Sequence, residues 1–507
     1  MAGDGFVDEH QYFEHPRYHI FRQRQETASP IESSADVEGQ TNDGEQQFIL
    51  DKGAPKRSLS VPMLMGLMYA YTTSGAYAIE ETVLGGGPLL GIISIVLVPL
   101  LMAAPTTIVV AELATAIPSN AAFLMWYNVS FHRVVYFAMV LLTFLLIFID
   151  NALYTVLISE YVCTAVPCSD TISKLLRLGM VLVTYTLNMV GVQAVGKLSI
   201  ALSIVTVAPF LTLFSMHMIK RNFYLNWPAI SYIPPSIDWA TFITTTSWNL
   251  CGLEQAATVI EQTKAPRRTF IRALAPLLGL AYLTYIPPIL TGASIREGLP
   301  DLSQWVTGFW SDVAFSVGGV PLRVFMVVAS ALSAHALLLS SFCTTTQIIA
   351  GVAYTEAFPG PINRALYKRN KRFGTYHWTL TLNAVLSALF GVFLEFGPLV
   401  KVDQVLYGLR VLMIFIAFLV IRHRHPHLKR PFRAPFEGKL LYLLIIPMIL
   451  FAGLIVLGMV ESTQSVIVNL SVLGVVMVIS LVYCQLVRKE DFYGRIVTGT
   501  LSEDEKQ

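Results

Sequence analysis

Charge is scarce in this 507-residue chain: Asp, Glu, Lys and Arg together make 13% of it, about half the share usual in a soluble domain. Thirty-five basic residues nearly cancel thirty-three acidic ones, and the net charge of +2 implies no polyanionic partner such as nucleic acid. Five cysteines are too few for a disulfide framework. Neither an H-E-x-x-H zinc-protease pattern nor a P-loop occurs. ATP-driven transport by this chain alone is therefore not expected, and an enzyme reading has no residues to stand on. No cofactor and no metal site are expected. The first fifty residues hold no apolar stretch of signal-peptide type, so the first membrane span must direct insertion.

What the chain has in excess is apolar sequence, 54% of it, gathered in long blocks with a mean hydropathy of +0.60. Its partner is a lipid bilayer. Residues 1–57 are polar and read as a disordered tail, and residues 488–507 form a second polar tail. Dividing what lies between at about 20 apolar residues plus a connection per crossing gives about twelve spans. Apolar runs place them at 59–86, 88–117, 133–163, 174–194, 198–219, 239–260, 271–295, 321–350, 376–395, 399–421, 439–460 and 465–487, within a transporter domain over 58–487. The long runs of spans 3 and 8 suggest tilt or flanking interfacial pieces.

Basic residues set the orientation. With both termini inside, the cytoplasmic segments carry about twenty-three Lys and Arg against about seven outside, the bias of the positive-inside rule. Both tails are then cytoplasmic. The sequons at Asn128 and Asn469 fall in a cytoplasmic loop and within a span, where they cannot be glycosylated. Cys251, Cys343 and Cys484 lie in apolar blocks and read as small hydrophobes. Cys163 and Cys168 flank the short loop after span 3; they pair if that loop meets an oxidising compartment and stay thiols if it does not.

Two spans are interrupted at their middles by small and polar residues. Span 1 meets Thr72-Thr73-Ser74-Gly75-Ala76, and span 6 runs through Thr244-Thr245-Thr246-Ser247-Trp248-Asn249 to Cys251-Gly252-Leu253-Glu254. Counted from the first span, these are the leading members of two sets of five. Interrupted helices at matching places in two halves point to an inverted-repeat transporter with its site where the helices unwind. Unwound backbone is tolerated in a bilayer only where it lines protein or a cavity. Two polar kinks bridged by hydroxyls are the plainer alternative.

Carboxylates cluster at the same depth. Glu80 and Glu81 follow the first break, Asp150 lies within span 3, and Glu254 follows the second break. Each costs about 2.5–3.5 kcal/mol near a bilayer centre unless something compensates it. Few basic groups lie at similar depth: Arg410, His335 and Lys197. The missing positive charge is then a cationic substrate. Tyr77, Tyr154 and Trp248 stand beside these acids, and aromatic faces attract ammonium groups. Tyr154 shares a helix face with Asp150. Neighbours on a helix point about 100° apart and do not share one cavity; Glu80 is taken as the site residue, and Glu81 as a gate or a partner for an outer-side polar group.

These residues resemble the amino acid–polyamine–organocation superfamily, and within it the polyamine uptake transporters, over about residues 58–490. Three stretches carry the resemblance: Ser74-Gly75 with Ile79-Glu80-Glu81 and Gly85-Gly86-Gly87-Pro88-Leu89; Ala111-Glu112-Leu113 with Pro118; and Ile149-Asp150-Asn151-Ala152-Leu153-Tyr154 together with Trp248-Asn249-Leu250, Glu254 and Glu261. The resemblance implies an all-α fold of the leucine-transporter type, two inverted repeats of five helices plus two further helices, and proton-coupled import of putrescine or spermidine by alternating access. Its substrate site would comprise Gly75, Tyr77, Glu80, Asp150, Tyr154, Trp248, Asn249 and Glu254. It makes Glu112 a support of an inner gate. Candidates for proton coupling or gating are then Glu81, Glu112, Lys197 and His335, besides the site carboxylates themselves. Relatives in the superfamily join an accessory glycoprotein through a cysteine after span 3, but Cys163 is the nearer mate of Cys168, so no accessory subunit is expected.

One departure bears on substrate. Amino-acid carriers of the superfamily hold the substrate carboxylate on free amides of a Gly-x-Gly stretch in span 1, where this chain has Ser74-Gly75-Ala76-Tyr77 with a single glycine. A zwitterionic amino acid fits poorly. The alternatives that stay open are a permease or exchanger for arginine and lysine, and a transport-inactive nutrient sensor.

Overall fold

Apolar blocks of this length can satisfy their backbone in a bilayer as helices, and helices are the regular structure of the computed structural model, with no named strand among its described residues: 57–250, 252–370, 372–393, 396–460 and 463–492. Most of both expected tails, and Cys251, lie outside these. Among the described residues, eight helices are long and apolar enough by themselves to cross a membrane. Tracing the chain with its interrupted and shorter helices gives twelve spans.

Span 1 starts at Val61, with Pro62 in the first turn where its missing N–H costs nothing. It runs as Val61–Thr72, unwinds, and resumes at Glu80. Gly87, at φ +82°, then breaks the chain before Pro88, and span 2 continues through a π-helical stretch at Pro99–Ala103 into Ala104–Ala116. Spans 3, 4 and 5 are Arg133–Ala165, Asp170–Met189 and Val192–Lys220. Span 4 begins a turn earlier than its apolar pattern predicts, because Ser169 caps it by accepting from the Ile172 amide at 3.3 Å. Span 6 is split into Trp239–Leu250 and a 3₁₀ segment Leu253–Gln262, and span 7 is Pro266–Ser294.

The helix of span 8, Phe309–Tyr354, is longer than its apolar core predicts. Gly319, at φ +67°, divides it into a leading piece and the crossing proper, which supplies the flanking segment expected there. Spans 9 and 10 are His377–Phe393 and Phe396–Arg424. Span 11 runs from Gly438 to Val460 and span 12 from Thr463 to Val487.

The packing repeats itself when each span n of the first five is exchanged with n + 5. Span 5 packs on span 8 as span 10 packs on span 3, and span 1 on span 5 as span 6 on span 10. Span 3 meets span 9 as span 8 meets span 4, and span 7 lies on span 5 as span 2 lies on span 10. Five crossings are an odd number, so the second set runs opposite to the first. This is the inverted repeat that the paired breaks predict, and it sets those breaks side by side.

The disulfide Cys163–Cys168 is formed at the end of span 3, while Cys343 and Cys484 are buried thiols. Asn128 is buried and donates to the Phe492 carbonyl, and Asn469 donates to that of Ser465, so neither sequon is accessible.

Candidate site at the helix breaks

Between Thr72 and Glu80 the backbone adopts conformations that side chains ordinarily avoid. Ser74, Gly75 and Ala78 sit at φ +43°, +104° and +65°. Such conformations cost on the order of 1–3 kcal/mol for a non-glycine residue and persist only where the surroundings impose them. Here they do. Ser74 Oγ donates to the Ser333 carbonyl at 3.1 Å, and Ser333 Oγ donates back to that of Ser74 at 2.5 Å, stapling the break to span 8. The Ala78 amide donates to Tyr161 Oη at 2.8 Å, and the Ala78 carbonyl accepts from Asn249 Nδ2 at 3.3 Å. Asn249 thus ties the two breaks together, and Tyr285 holds it from span 7 by donating to its carbonyl at 2.8 Å. A Cβ on Gly75 would stand 2.8 Å from the Tyr77 ring, so glycine is required by space as well as by φ.

Glu80 follows, fully buried, with both carboxylate oxygens engaged by neutral donors: Tyr161 Oη at 2.8 Å and Trp310 Nε1 at 2.8 Å. Trp310 belongs to the leading piece of the span 8 helix, before Gly319. Tyr77 packs edge-on against Tyr161 and Phe210 and donates to the Met326 carbonyl at 3.2 Å. Tyr77, Tyr161, Trp310 and Ser330 help to line a cavity of about 10 Å³, the room of a single water. Glu81, beside Glu80, is only half-buried.

A second group of charges lies where spans 3, 6 and 10 meet. Asp150 accepts from Tyr71 Oη at 3.1 Å and interacts with Tyr154 one turn along. The Tyr154 ring lies 6.2 Å from that of Trp248. Glu254, fully buried, is held by Arg410 of span 10 at 2.6 Å and by the Tyr407 hydroxyl at 3.3 Å, while that hydroxyl accepts from the Gly252 amide at 3.1 Å. Span 10 also buries Asp403, which accepts from Gln404 Nε2 at 3.1 Å. Among the described residues, Glu80, Asp150 and Asp403 make no ion pair.

The remaining sequence candidates lie apart from these groups. Glu112, near the C-terminal end of span 2, accepts from both Nε and Nη2 of Arg422, from Arg430 and from the Ala434 amide at 2.7 Å, clamping span 2 to the end of span 10 and the loop after it. In that loop burial pushes the Arg430 guanidinium down from its ordinary range, and the Glu112 charge opposes the shift. Close by, Leu59 pairs with Thr263 in an isolated β-bridge that pins the start of span 1 to the end of span 6. Lys197 is exposed at the start of span 5. His335 is buried, with Nδ1 3.3 Å from Thr184 Oγ1, joining span 8 to span 4.

The structure therefore groups Gly75, Tyr77, Glu80 and Asn249 at one level and Asp150, Tyr154, Trp248 and Glu254 at another. Sequence reasoning missed Tyr71, Tyr161, Trp310 and Asp403, and it did not pair Arg410 with Glu254. The Asp403-Gln404 pair inside an apolar run was a signal for one of these; the partners of Glu80 and Asp150 had none.

Comparison with known proteins agrees with this layout. The profile of the amino acid permease family matches residues 60–482. The polyamine transporter RMV1 of Arabidopsis thaliana is 26% identical over 404 residues, covering 79% of this chain and 80% of its own. The polyamine transporter PUT1 of Oryza sativa subsp. japonica is 27% identical over 396 residues, covering 76% and 72%.

Proposed function

Since the chain belongs to the amino acid permease family, and is thus a membrane transporter rather than an enzyme, we propose that it imports polyamines of the putrescine and spermidine class by proton symport. It works by alternating access in the plasma membrane, with residues 1–57 and 488–507 as cytoplasmic tails around the transporter domain 58–487.

One observation carries the reading: three buried carboxylates, Glu80, Asp150 and Asp403, make no ion pair among the described residues. Left charged and uncompensated they would cost on the order of 7–10 kcal/mol together. A polycation with an apolar spine supplies that charge. Tyr154 and Trp248 beside Asp150 add up to about 2 kcal/mol of cation–π attraction for a desolvated ammonium. Relatives bearing the name polyamine transporter support the same class. The substrate side chains in this reading are Tyr77, Glu80, Asp150, Tyr154 and Trp248, with Asn249 and Gly75 shaping the breaks and Glu254 held by Arg410. The Ala78 amide is already taken by Tyr161, which leaves span 1 poorer in donors for an amino-acid carboxylate.

Orientation rests on the basic inner segments and on the Cys163–Cys168 disulfide, which belongs on the oxidising side. Alternating access then means releasing the Glu80–Trp310 contact on the outside and the Leu59–Thr263 and Glu112–Arg422 contacts on the inside, in turn. Uptake of labelled putrescine in cells expressing the chain, with spermidine or arginine as competitor, tests this. Spermidine should block it and arginine should not; equal competition by arginine would make the chain a cationic amino-acid permease, and binding without flux a sensor.

A further inference from the structure

Resting on the polyamine reading, we propose that Asp403 and Gln404 of span 10 form a distinct subsite for one ammonium group, next to Asp150, so that a diamine is recognised by both of its charges.

Both side chains are buried, at 3% and 1% exposure, in span 10, which packs on span 3. Gln404 Nε2 donates to Asp403 Oδ2, which orients the pair and leaves Asp403 Oδ1 and Gln404 Oε1 with no hydrogen-bond partner. Two orphaned acceptors side by side are expensive in an apolar interior. What they lack is a donor, and an ammonium brings three N–H groups and the opposite charge.

The nearest internal cation is held by another carboxylate. Arg410, two turns further along the same helix, places Nη2 on Glu254 and its guanidinium over the Phe123 and Tyr407 rings, and its Nε is left without an acceptor rather than reaching Asp403 or Gln404. Asp403 lies within electrostatic reach of Asp150 and Arg410. The local set of Asp150, Glu254, Asp403 and Arg410 therefore holds two more carboxylates than cations. With one ammonium at Asp150 and one at Asp403, both excess charges are matched and both orphaned acceptors are filled.

The test is competition against labelled putrescine uptake by putrescine and by n-butylamine, which keeps the carbon chain and one ammonium. Wild type should prefer putrescine. Asp403→Asn should lose roughly tenfold or more of its putrescine affinity, leave butylamine nearly as it was, and so close the gap between them. A fall of both ligands by the same factor, or an unchanged preference, overturns the proposal. No putrescine uptake by wild type would overturn the polyamine reading beneath it instead. Should Asp403→Asn fail to accumulate in the membrane, Asp403→Glu decides. It keeps the charge but advances it by a methylene, and should move the preference from putrescine toward 1,3-diaminopropane; an unmoved chain-length preference overturns the proposal.

Discussion

Arg410 Nη2 lies 2.6 Å from Glu254 Oε1, and this buried ion pair fastens span 10 to the point where span 6 unwinds. Removing one member of such a pair leaves the other charge stranded, at about 3–5 kcal/mol. Glu254→Gln should therefore lower the thermal stability of the purified protein and reduce uptake of putrescine and spermidine by the same factor. Unequal losses in a protein of unchanged melting temperature would instead give Glu254 a direct contact with substrate.

The span 1 break depends on the backbone of Gly75. Gly75→Ala places a Cβ against the Tyr77 ring at a φ of +104°, which should cost on the order of 1–3 kcal/mol. Reduced stability together with reduced maximal uptake is expected in a thermal-shift and transport comparison. Wild-type behaviour in both would mean that the break does not need this conformation.

Glu80 accepts two hydrogen bonds through separate oxygens, from Tyr161 and from Trp310. Glu80→Gln retains one acceptor, and its amide cannot accept from the second donor, so a loss of about 1–3 kcal/mol is expected from the mismatch. If Glu80 carries the coupled proton, residual uptake by this variant no longer rises when the outside is acidified. Acid stimulation equal to wild type would take Glu80 out of coupling.

Near the C-terminal end of span 2, Glu112 gathers two guanidiniums and the Ala434 amide. Glu112→Gln removes the counter-charge of both guanidiniums and weakens the acceptor of the amide. Hydrogen–deuterium exchange of the segment around Ala434 should accelerate roughly tenfold to a hundredfold, in line with about 1.5–3 kcal/mol per charge-assisted bond. Unaltered exchange there would show that the clamp does not hold the loop.

Much of this architecture is legible in the sequence because it follows from local chemistry. Gly87-Pro88 marks the boundary of spans 1 and 2 through a glycine at positive φ and a residue without an N–H. The clusters around Ser74 and Asn249 mark the breaks because polar residues inside apolar blocks need partners. Helix geometry alone says that Glu80 and Glu81 do not share one cavity, and the structure buries Glu80 fully and Glu81 only by half. What stayed hidden is the pairing between distant segments. Arg410 and Glu254 are 156 residues apart, and nothing local says that one compensates the other. Asp403 and Gln404 stand inside an apolar run, but only the packing of span 10 shows that both are buried. Trp310 lies in what reads as a loop, and only the turn at Gly319 lays it over Glu80. Arg422 and Arg430 count toward the positive-inside bias and hide their contact with Glu112 for that reason.

The central claim, that substrate cations take the place of the missing positive charge, is tested most directly at Asp150. Labelled putrescine uptake should be compared between wild type and Asp150→Asn at matched surface expression, with the outside acidic and neutral. Wild type should show acid-stimulated, saturable uptake, and Asp150→Asn should lose high-affinity uptake by roughly tenfold or more while keeping its melting temperature, since the amide still accepts from Tyr71. Putrescine uptake of undiminished affinity in the Asp150→Asn protein would contradict the account.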